Sequence, residues 1–368
     1  MPAIINSIIP HKSLNIVLIS QLKMSVKIGI NGFGRVGRTF FRVNHEEPDP
    51  SKKQDILVVK DIQPLEGLAY LLKHDSTYGL FTGDVNVRRD RLVVDRKEIM
   101  YFREKEVSQV PWVDLGVNVL VEASGAMTLA DARPLITPPL TNVVYDRKQE
   151  GVDHTFVMGV NHRDYDPSIH KAISASTCTG NAIVPVAKII NSAWGINRGH
   201  IMTVHPVLTD QSLLDVPYDK CNLGRSAMRS IIPTSTGVVD SLTSILPELK
   251  GKITGGSYRV PVDIVSAITA TFDLRKPTTA EEVNSLFEQQ VSGDMAGVIE
   301  YDPGFLGNQK VSIDFFKNPH AAVFSSLETK VCDGTLLSIS LFHDNEWGYC
   351  CRVHQLINYI HAINQTND

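Results

Sequence analysis

The sequence predicts an α/β fold in two parts: a doubly wound, mostly parallel sheet comes first, and an α+β domain with a mixed or antiparallel sheet follows. Three observations support this prediction. The chain of 368 residues is longer than the roughly 300 residues at which a single core usually stops growing. Its first half alternates short apolar runs with polar or proline-containing links, which is typical of strand–helix repeats. From about Arg259 onward, long β-rich runs surround one strong helix.

Composition and charge exclude several functional classes. With 43% hydrophobic residues, the chain can bury an ample core. Its 36 basic and 40 acidic side chains give a formal net charge of -4, whereas nucleic-acid-binding proteins normally carry a basic excess. The five cysteines are odd in number, and Cys350 and Cys351 are adjacent, which favours reduced thiols and a cytoplasmic location. We expect no nucleic-acid, membrane or metal partner.

The first 23 residues need a separate interpretation. Lys12 interrupts a mildly apolar stretch, and the run at residues 14–19 is too short to span a bilayer. The stretch has no convincing positive start or cleavage site of a secretory signal. Met24 directly precedes a strand-like run at residues 26–30. We therefore expect residues 1–23 to be a disordered extension upstream of the fold, or not to be translated.

A glycine-rich motif follows the first strand-like run. Residues 31–37 read NGFGRVG, and a helix-like segment continues at residues 38–43. This G-x-G-x-x-G pattern suits a turn that brings backbone N–H groups against a pyrophosphate at a helix start. The second strand, residues 56–59, ends at Asp61, whose carboxylate can accept hydrogen bonds from both ribose hydroxyls and favours NAD over NADP. The adjacent Lys60 leaves NADP open as the cofactor. The alternative to a nucleotide site is an ordinary glycine turn in a strand–helix unit. The pattern predicts a Rossmann-type NAD site formed by Gly32, Phe33, Gly34, Arg35, Val36, Gly37 and Asp61.

The remaining elements complete the two predicted sheets. Further strands of the first sheet are expected at residues 117–122, 143–145 and 155–160, and strands of the second domain at residues 258–260, 264–274, 311–315 and 336–342. The strong helix of the second domain begins at Thr279 with a capping-box pattern that includes Glu282, and it runs through Leu286.

A cysteine lies between the two halves. Cys178 precedes a segment with helical periodicity at residues 182–190, so it is expected at a helix start, where the dipole stabilises a thiolate and lowers the thiol pKa. Such a nucleophile needs a proton acceptor, and the candidate is His205, which Pro206 holds in extended geometry. A buried structural cysteine and an unrelated histidine remain the alternative, because spacing cannot establish that the two side chains meet.

Five ordered motifs resemble the glyceraldehyde-3-phosphate dehydrogenase family, and the similarity runs from about Met24 to the C-terminus. They are the segments INGFGRVGR at residues 30–38, STCTGN at residues 176–181, IIPTSTG at residues 231–237, YRVP at residues 258–261 and DNEWGY at residues 344–349. The resemblance implies a Rossmann domain at residues 24–177 that is completed by residues 345–368, with a catalytic domain at residues 178–344.

The resemblance also implies a reaction. Such an enzyme oxidises glyceraldehyde 3-phosphate with NAD through a cysteine thiohemiacetal and a thioester, and inorganic phosphate releases the thioester as an acyl phosphate. In this sequence Cys178 matches the nucleophile and His205 the base. Family precedent further implies that the protein is a homotetramer, that it is located in the cytoplasm and that it acts in glycolysis. The other residues implied are Ser124, Asn345 and Tyr349 for the cofactor, Arg259 and Asp210 for the substrate phosphate, and Thr177, Thr179, Thr236 and Gly237 for inorganic phosphate.

Several positions depart from the family pattern. A threonine expected three residues after the histidine is Leu208, although Thr209 is adjacent, and an arginine expected in the phosphate pocket is Leu223, with Arg225 two positions on. A Ser-Ala-Pro turn beside the cofactor instead reads YDR at residues 145–147. These changes leave alternatives open: an erythrose-4-phosphate dehydrogenase, an enzyme that hydrolyses its thioester, or a catalytically weak NAD-binding paralogue.

Overall fold

The computed structural model describes residues 25–367, so the predicted extension at residues 1–23 lies outside the described residues. Eleven strands precede the cysteine: β1 (Lys27–Asn31), β2 (Asp55–Asp61), β3 (His74–Asp75), β4 (Gly79–Leu80), β5 (Val85–Arg88), β6 (Arg91–Val94), β7 (Lys97–Arg103), β8 (Val119–Glu122), β9 (Asn142–Tyr145), β10 (His154–Thr155) and β11 (Ala172–Ser174). Three helices accompany them: α1 (Arg35–Glu46), α2 (Leu65–Lys73) and α3 (Leu129–Ala132).

Nine of these strands form the first sheet, in the order β10-β11-β9-β8-β1-β2-β7-β6-β5. The strands from β10 to β7 in this order pair in parallel, and β5 and β6 extend that edge in antiparallel fashion. At the carboxyl ends of the three central strands, Asn31, Glu122 and Tyr145 are neighbours in register. A crevice outside these ends is where open α/β sheets bind ligands.

The second half of the chain builds a seven-stranded mixed sheet, in the order β13-β14-β12-β15-β18-β17-β16. Its strands are β12 (Ile196–Pro206), β13 (Ile232–Thr234), β14 (Ile253–Val260), β15 (Ser266–Leu274), β16 (Ile299–Asp302), β17 (Ala322–Cys332) and β18 (Leu336–His343). The helices are α4 (Cys178–Ala193), α5 (Val238–Ile245), α6 (Ala280–Ser292) and α7 (Trp347–Asn367). Because β12 and β14 are parallel neighbours, His205 lies directly beside Arg259.

The predicted capping box of α6 is present. The hydroxyl of Thr279 accepts a hydrogen bond from the backbone N–H of Glu282 at 3.2 Å, and the carboxylate of Glu282 accepts one from the backbone N–H of Thr279 at 3.1 Å. Two of the four N–H groups that a helix start leaves unpaired are thereby satisfied. The signal is local in sequence, which is why it could be identified without the fold.

Two predicted strands are wrong. Of residues 155–160 only Thr155 belongs to a strand, because the side chain of Asn161 accepts a hydrogen bond from the backbone N–H of Val157 at 2.8 Å and closes a turn. Of residues 311–315, Ser312–Phe315 form a 3₁₀ turn that Val311 caps, since the carboxylate of Asp314 accepts from the backbone N–H of Val311 at 2.9 Å. Both runs are apolar enough to read as strands, but their backbone groups find local partners.

The C-terminal helix returns to the first sheet. The side chain of Gln54 donates to the carbonyl of His354 on α7 at 2.9 Å, and Asn364 donates to the side chain of Asn142 on β9 at 2.9 Å. The apolar face of α7 joins the buried cluster that surrounds β1 and α1. A separate buried cluster fills the space between the second sheet and helices α4 to α6. No helix within residues 25–367 is long and apolar enough to cross a membrane.

Candidate active site

The glycine loop after β1 has a backbone shape that would let a ligand approach closely. Gly32 has φ +95°, and a Cβ there would lie 2.4 Å from the backbone nitrogen of Ser124. A Cβ on Gly37 would lie 2.2 Å from the carbonyl oxygen of Gly32, so α1 can approach β1 only without a side chain there. A Cβ on Gly34 would meet nothing within 4 Å. The open space therefore lies at Gly34, next to the start of α1, where a pyrophosphate would contact backbone N–H groups.

The acidic residue at the end of β2 holds this loop. The carboxylate of Asp61 accepts a hydrogen bond from the backbone N–H of Phe33 at 2.7 Å, and its other oxygen accepts from Ile62 at 2.7 Å. The neighbouring Lys60 is buried and donates to the carbonyl of Lys105 at 3.0 Å. That ammonium is already paired away from the loop, so it is not placed to receive a 2′-phosphate.

The candidate nucleophile begins a helix, as the sequence predicts. The hydroxyl of Thr177 caps α4 by accepting from the backbone N–H of Gly180 at 3.0 Å, and Cys178 is the first residue of the helix. Behind the cysteine, the side chain of Asn181 donates to the carbonyl of Ala175 at 2.7 Å. Asn181 thus fixes the turn that carries the thiol, a role that sequence reasoning did not assign although the residue ends the STCTGN motif.

Backbone strain is present at the same turn. Ser176 has φ +62°, a conformation that a residue with a side chain rarely adopts. The hydroxyl of Tyr349 on α7 donates to the carbonyl of Ser176 at 3.2 Å and stabilises the turn from the cofactor side. Strain of this kind persists where surrounding structure holds it, often at functional sites. The sequence carries no signal for it.

The structure brings the thiol and the imidazole together. The Sγ atom of Cys178 lies 3.8 Å from Nε2 of His205, and Nδ1 of His205 lies 2.9 Å from the carbonyl oxygen of Pro206. A carbonyl can only accept, so Nδ1 carries the proton and Nε2 presents a lone pair to the thiol. The geometry favours the nucleophile–base interpretation over the alternative of two unrelated buried residues.

Burial decides the charge of this pair. Desolvation raises the pKa of the Cys178 thiol, and hydrogen bonding to Thr179 and the charge of Arg259 only partly oppose it. Desolvation, together with Arg259, lowers the pKa of His205 to about 4. The expectation that the helix start lowers the thiol pKa overall is therefore wrong, because loss of water outweighs the helix start in this enclosed position. The pair is neutral near pH 7 and becomes charged only when a proton moves from sulfur to nitrogen.

A cavity of about 670 Å³ opens at this pair and is lined by both halves of the molecule. The first sheet, α1 and the C-terminal segment contribute Arg35, Val36, Asp146, Arg147, Asn345 and Tyr349. The second half contributes Thr177, Cys178, Thr179, Thr203, His205, Leu208, Thr236, Gly237, Ser257 and Arg259. Among the latter, Thr203 and Ser257 add hydroxyls that sequence reasoning missed, since alternation along β12 and β14 does not say which face meets a ligand.

Only one of the three arginines in the cavity wall forms no salt bridge among residues 25–367. Arg35 pairs with Asp75 at 2.9 Å, and Arg147 pairs with Glu122 at 3.1 Å. Arg259 forms no salt bridge within the described chain, and its electrostatic partners are Cys178 and Asp210. Arg259 is therefore the cation available to an anionic ligand beside the thiol.

The predicted inorganic-phosphate residues come together at two helix starts. Thr177 and Thr179 lie at the beginning of α4, and Thr236 and Gly237 lie at the beginning of α5. All four line the cavity. Helix starts combine free N–H groups with a favourable dipole, so this wall suits an anion.

The predicted substrate-phosphate residues are only partly brought together. Asp210 lies exposed on a turn and is not part of the cavity wall, whereas Thr209 and Leu208 are. Leu223 lies in a separate surface depression, and Arg225 pairs with Asp215 at 3.0 Å on the exposed surface. Within the described cavity wall the arginines are Arg35, Arg147 and Arg259, and Arg225 is not among the lining residues.

The cofactor side of the cavity retains two of the predicted residues. Asn345 is buried, lines the cavity, and its Oδ1 atom has no hydrogen-bond partner within residues 25–367. Tyr349 lines the same wall, whereas Ser124 is not a lining residue and donates to Glu122 at 2.7 Å. A buried carbonyl without a donor suits the amide of a nicotinamide.

A dinucleotide-binding sheet that shares one cavity with a thiol–imidazole pair defines a class, the two-domain NAD-dependent oxidoreductases. Family models agree: "Glyceraldehyde 3-phosphate dehydrogenase, NAD binding domain" matches residues 26–130, and the C-terminal domain of the same family matches residues 177–345. The chain belongs to the glyceraldehyde-3-phosphate dehydrogenase family. This confirms the family, the fold class and NAD as predicted from the sequence.

Curated relatives agree over nearly the whole chain. Glyceraldehyde-3-phosphate dehydrogenase of Geobacillus stearothermophilus is 38% identical over 338 residues, which is 92% of this chain and 98% of the relative. Glyceraldehyde-3-phosphate dehydrogenase 1 of Bacillus cereus is 37% identical over 91% of this chain and 98% of the relative. The enzyme from Chlamydia pneumoniae is 35% identical, with the same shares covered.

Proposed function

We propose that this protein oxidises glyceraldehyde 3-phosphate with NAD and releases the product as an acyl phosphate. The observation that carries the proposal is the 3.8 Å approach of Cys178 Sγ to His205 Nε2 beside the unpaired Arg259. A nucleophile, its base and an anion-binding cation thus share one cavity with Asn345 and Tyr349 of the cofactor side.

The first step needs both members of the pair. Sγ of Cys178 attacks the aldehyde carbon while Nε2 of His205 takes the thiol proton, and His205 then passes that proton to the thiohemiacetal oxygen. His205 next accepts the hydroxyl proton as hydride leaves the same carbon, which yields a thioester on Cys178. Bound NAD supplies the hydride acceptor at this point. The glycine loop, Asp61 and Asn345 are the residues that would hold NAD there.

The second step releases the product. An oxygen of inorganic phosphate, held by the starts of α4 and α5, attacks the thioester carbon; the C–S bond breaks and the thiolate of Cys178 leaves. Hydroxyl and N–H donors at Thr179, Thr236 and Gly237 stabilise the anion without further charged groups. We also propose, from family precedent alone, that the protein is a cytoplasmic homotetramer.

A specific observation supports a second candidate. Leu208 in the cavity wall and Leu223 outside it supply no charge to the substrate phosphate, and the other two arginines of the wall are paired with acids. Release of the thioester by water rather than by phosphate would place less demand on this wall, and the same departures from the family pattern leave erythrose 4-phosphate, a longer aldehyde, as an alternative substrate. A catalytically weak NAD-binding paralogue is disfavoured, because the thiol, the imidazole and Arg259 remain in a working arrangement.

The test is NADH formation by the purified protein with each aldehyde, with and without inorganic phosphate, beside a Cys178→Ser control. We expect phosphate-dependent turnover on glyceraldehyde 3-phosphate that the control lacks. Turnover that ignores phosphate would replace the acyl-phosphate step with hydrolysis. A lack of turnover on both aldehydes, with NAD still bound, would refute both enzyme candidates.

A further inference from the structure

An acidic residue stands in the cofactor wall of the cavity where the family turn has uncharged residues. Asp146 directly follows β9 and lines the cavity together with Asn345 and Tyr349. Its backbone N–H donates to the carbonyl of Glu122 at 3.1 Å, which fixes its position at the carboxyl end of the sheet. The side chain is only 10% exposed.

The neighbouring arginine lies at ion-pair distance from this carboxylate but does not hydrogen-bond to it. Arg147 directs its guanidinium to the fully buried Glu122 at 3.1 Å and to the carbonyl of Met127 at 3.0 Å. Its distance from Asp146 is 3.9 Å, too long for a hydrogen bond. Glu122 also accepts from Asn31 and Ser124. Arg147 thus gives hydrogen bonds to Glu122 and Met127, and Asp146 is the acid of this group that lines the cavity without a hydrogen bond to a cation.

We propose that Asp146 sets the oxidation-state preference of the cofactor site, because its carboxylate faces the nicotinamide ring and stabilises the cationic oxidised ring over the neutral reduced ring. The inference rests on the proposed position of the nicotinamide beside Asn345 and Tyr349. Oxidised and reduced cofactor share the same adenosine, ribose and pyrophosphate groups. Their affinity ratio therefore isolates the charge of the ring, which a buried carboxylate senses strongly.

The protonation of Asp146 gives a second observable. Desolvation, together with the charge of Glu122, raises the pKa of Asp146 to about 7. A cationic ring beside it would lower that pKa and release a proton on binding, whereas a neutral ring would not. The other groups around Asp146 are Arg147, Tyr349 and Cys350; burial raises the pKa of Tyr349 and of Cys350 well above the ordinary values, so both stay neutral near pH 7.

The experiment compares the Kd of NAD with that of NADH for the full-length protein and for Asp146→Asn. We expect the ratio Kd(NADH)/Kd(NAD) to fall about tenfold in the variant, since one unit charge near the ring is lost. The matched control is Asp263→Asn, which removes an exposed carboxylate from the second half of the same cavity wall and should leave the ratio unchanged. Asp146→Glu, which keeps the charge, should restore it.

Calorimetry in buffers of different ionisation enthalpy supplies the independent readout. At pH 7 the wild-type protein should release protons on binding NAD but not on binding NADH, and Asp146→Asn should abolish the release. NAD binding with an unchanged ratio and no proton release would overturn the inference while leaving the proposed function intact. Failure of the wild-type protein to bind NAD would instead refute the proposed function. If Asp146→Asn does not fold, proton release by the wild-type protein decides the question.

Discussion

The cavity has a cofactor wall, formed by the first sheet, α1 and the C-terminal segment, and a substrate wall, formed by the second half of the chain. The two walls are built in different ways. The cofactor loop is held by backbone contacts: Gly32 and Gly37 leave no room for a Cβ, and Asp61 accepts from the loop N–H at 2.7 Å. The wall formed by residues 207–229 is a surface loop on which Leu213 and Met228 are more than half exposed. We therefore expect cofactor binding to depend largely on this backbone geometry, and substrate binding to depend on side chains that can be exchanged without disturbing the fold.

The largest expected effect is on the free energy of unfolding, and it should differ between two glycines of the cofactor loop. Gly32→Ala places a Cβ 2.4 Å from the backbone of Ser124 at a positive φ, so we expect a loss of about 3 kcal/mol in the free energy of unfolding. Gly34→Ala meets open space and should leave stability within about 1 kcal/mol, yet weaken NAD binding. Chemical denaturation and calorimetric titration measure the two effects. Equal destabilisation by both variants would contradict the account of the loop.

The next effect concerns the two arginines of the substrate side. Arg259→Ala removes the unpaired cation of the cavity, and kcat/KM for glyceraldehyde 3-phosphate should fall about a hundredfold, as for loss of a charged hydrogen-bonded partner. Arg225→Ala, the matched control, removes an arginine that is paired with Asp215 on the surface. Steady-state kinetics should show less than a twofold change for the control. A large effect of Arg225→Ala would mean that it reaches into the cavity during turnover.

A third prediction uses the buried carboxyl of the cofactor wall. The pKa of Asp146 is raised to about 7, so the native state holds this proton more tightly than the unfolded chain. The stability that this proton provides is present below about pH 4 and is lost as pH rises towards 7. Relative to the wild-type protein, Asp146→Asn should gain about 2 kcal/mol in the free energy of unfolding between pH 5 and pH 8. Urea unfolding at several pH values measures the difference, and a flat difference would show that Asp146 titrates normally.

The smallest expected effect concerns a side chain in the wall formed by residues 207–229. Leu208 lies at the rim of the cavity, and its backbone N–H is held by the side chain of Gln211 at 3.0 Å. Leu208→Thr introduces a hydroxyl where the family pattern expects one. We expect KM for glyceraldehyde 3-phosphate to fall two- to tenfold, in line with one hydrogen bond, and stability to change little. An unchanged KM, with stability retained, would show that the substrate phosphate does not approach this residue.

Features encoded by neighbouring residues were predictable. The helix start at Cys178 and the capping box at Thr279 each depend on contacts within a few residues, so their sequence patterns determine them. The failures at residues 155–160 and 311–315 have a complementary cause. An apolar run fits a strand or a turn equally well, and the hydrogen bonds of Asn161 and Asp314 decided in favour of turns.

The sequence by itself determined the family, the fold class, NAD as cofactor and the identity of the candidate nucleophile, because those depend on short motifs in a fixed order. Only the tertiary structure decided which side chains meet. The parallel register of β12 with β14 sets His205 beside Arg259, and burial within the cavity reverses the expected shift of the thiol pKa. Distances between remote residues and the loss of water around a charge arise only when the chain is folded, and no local pattern contains them.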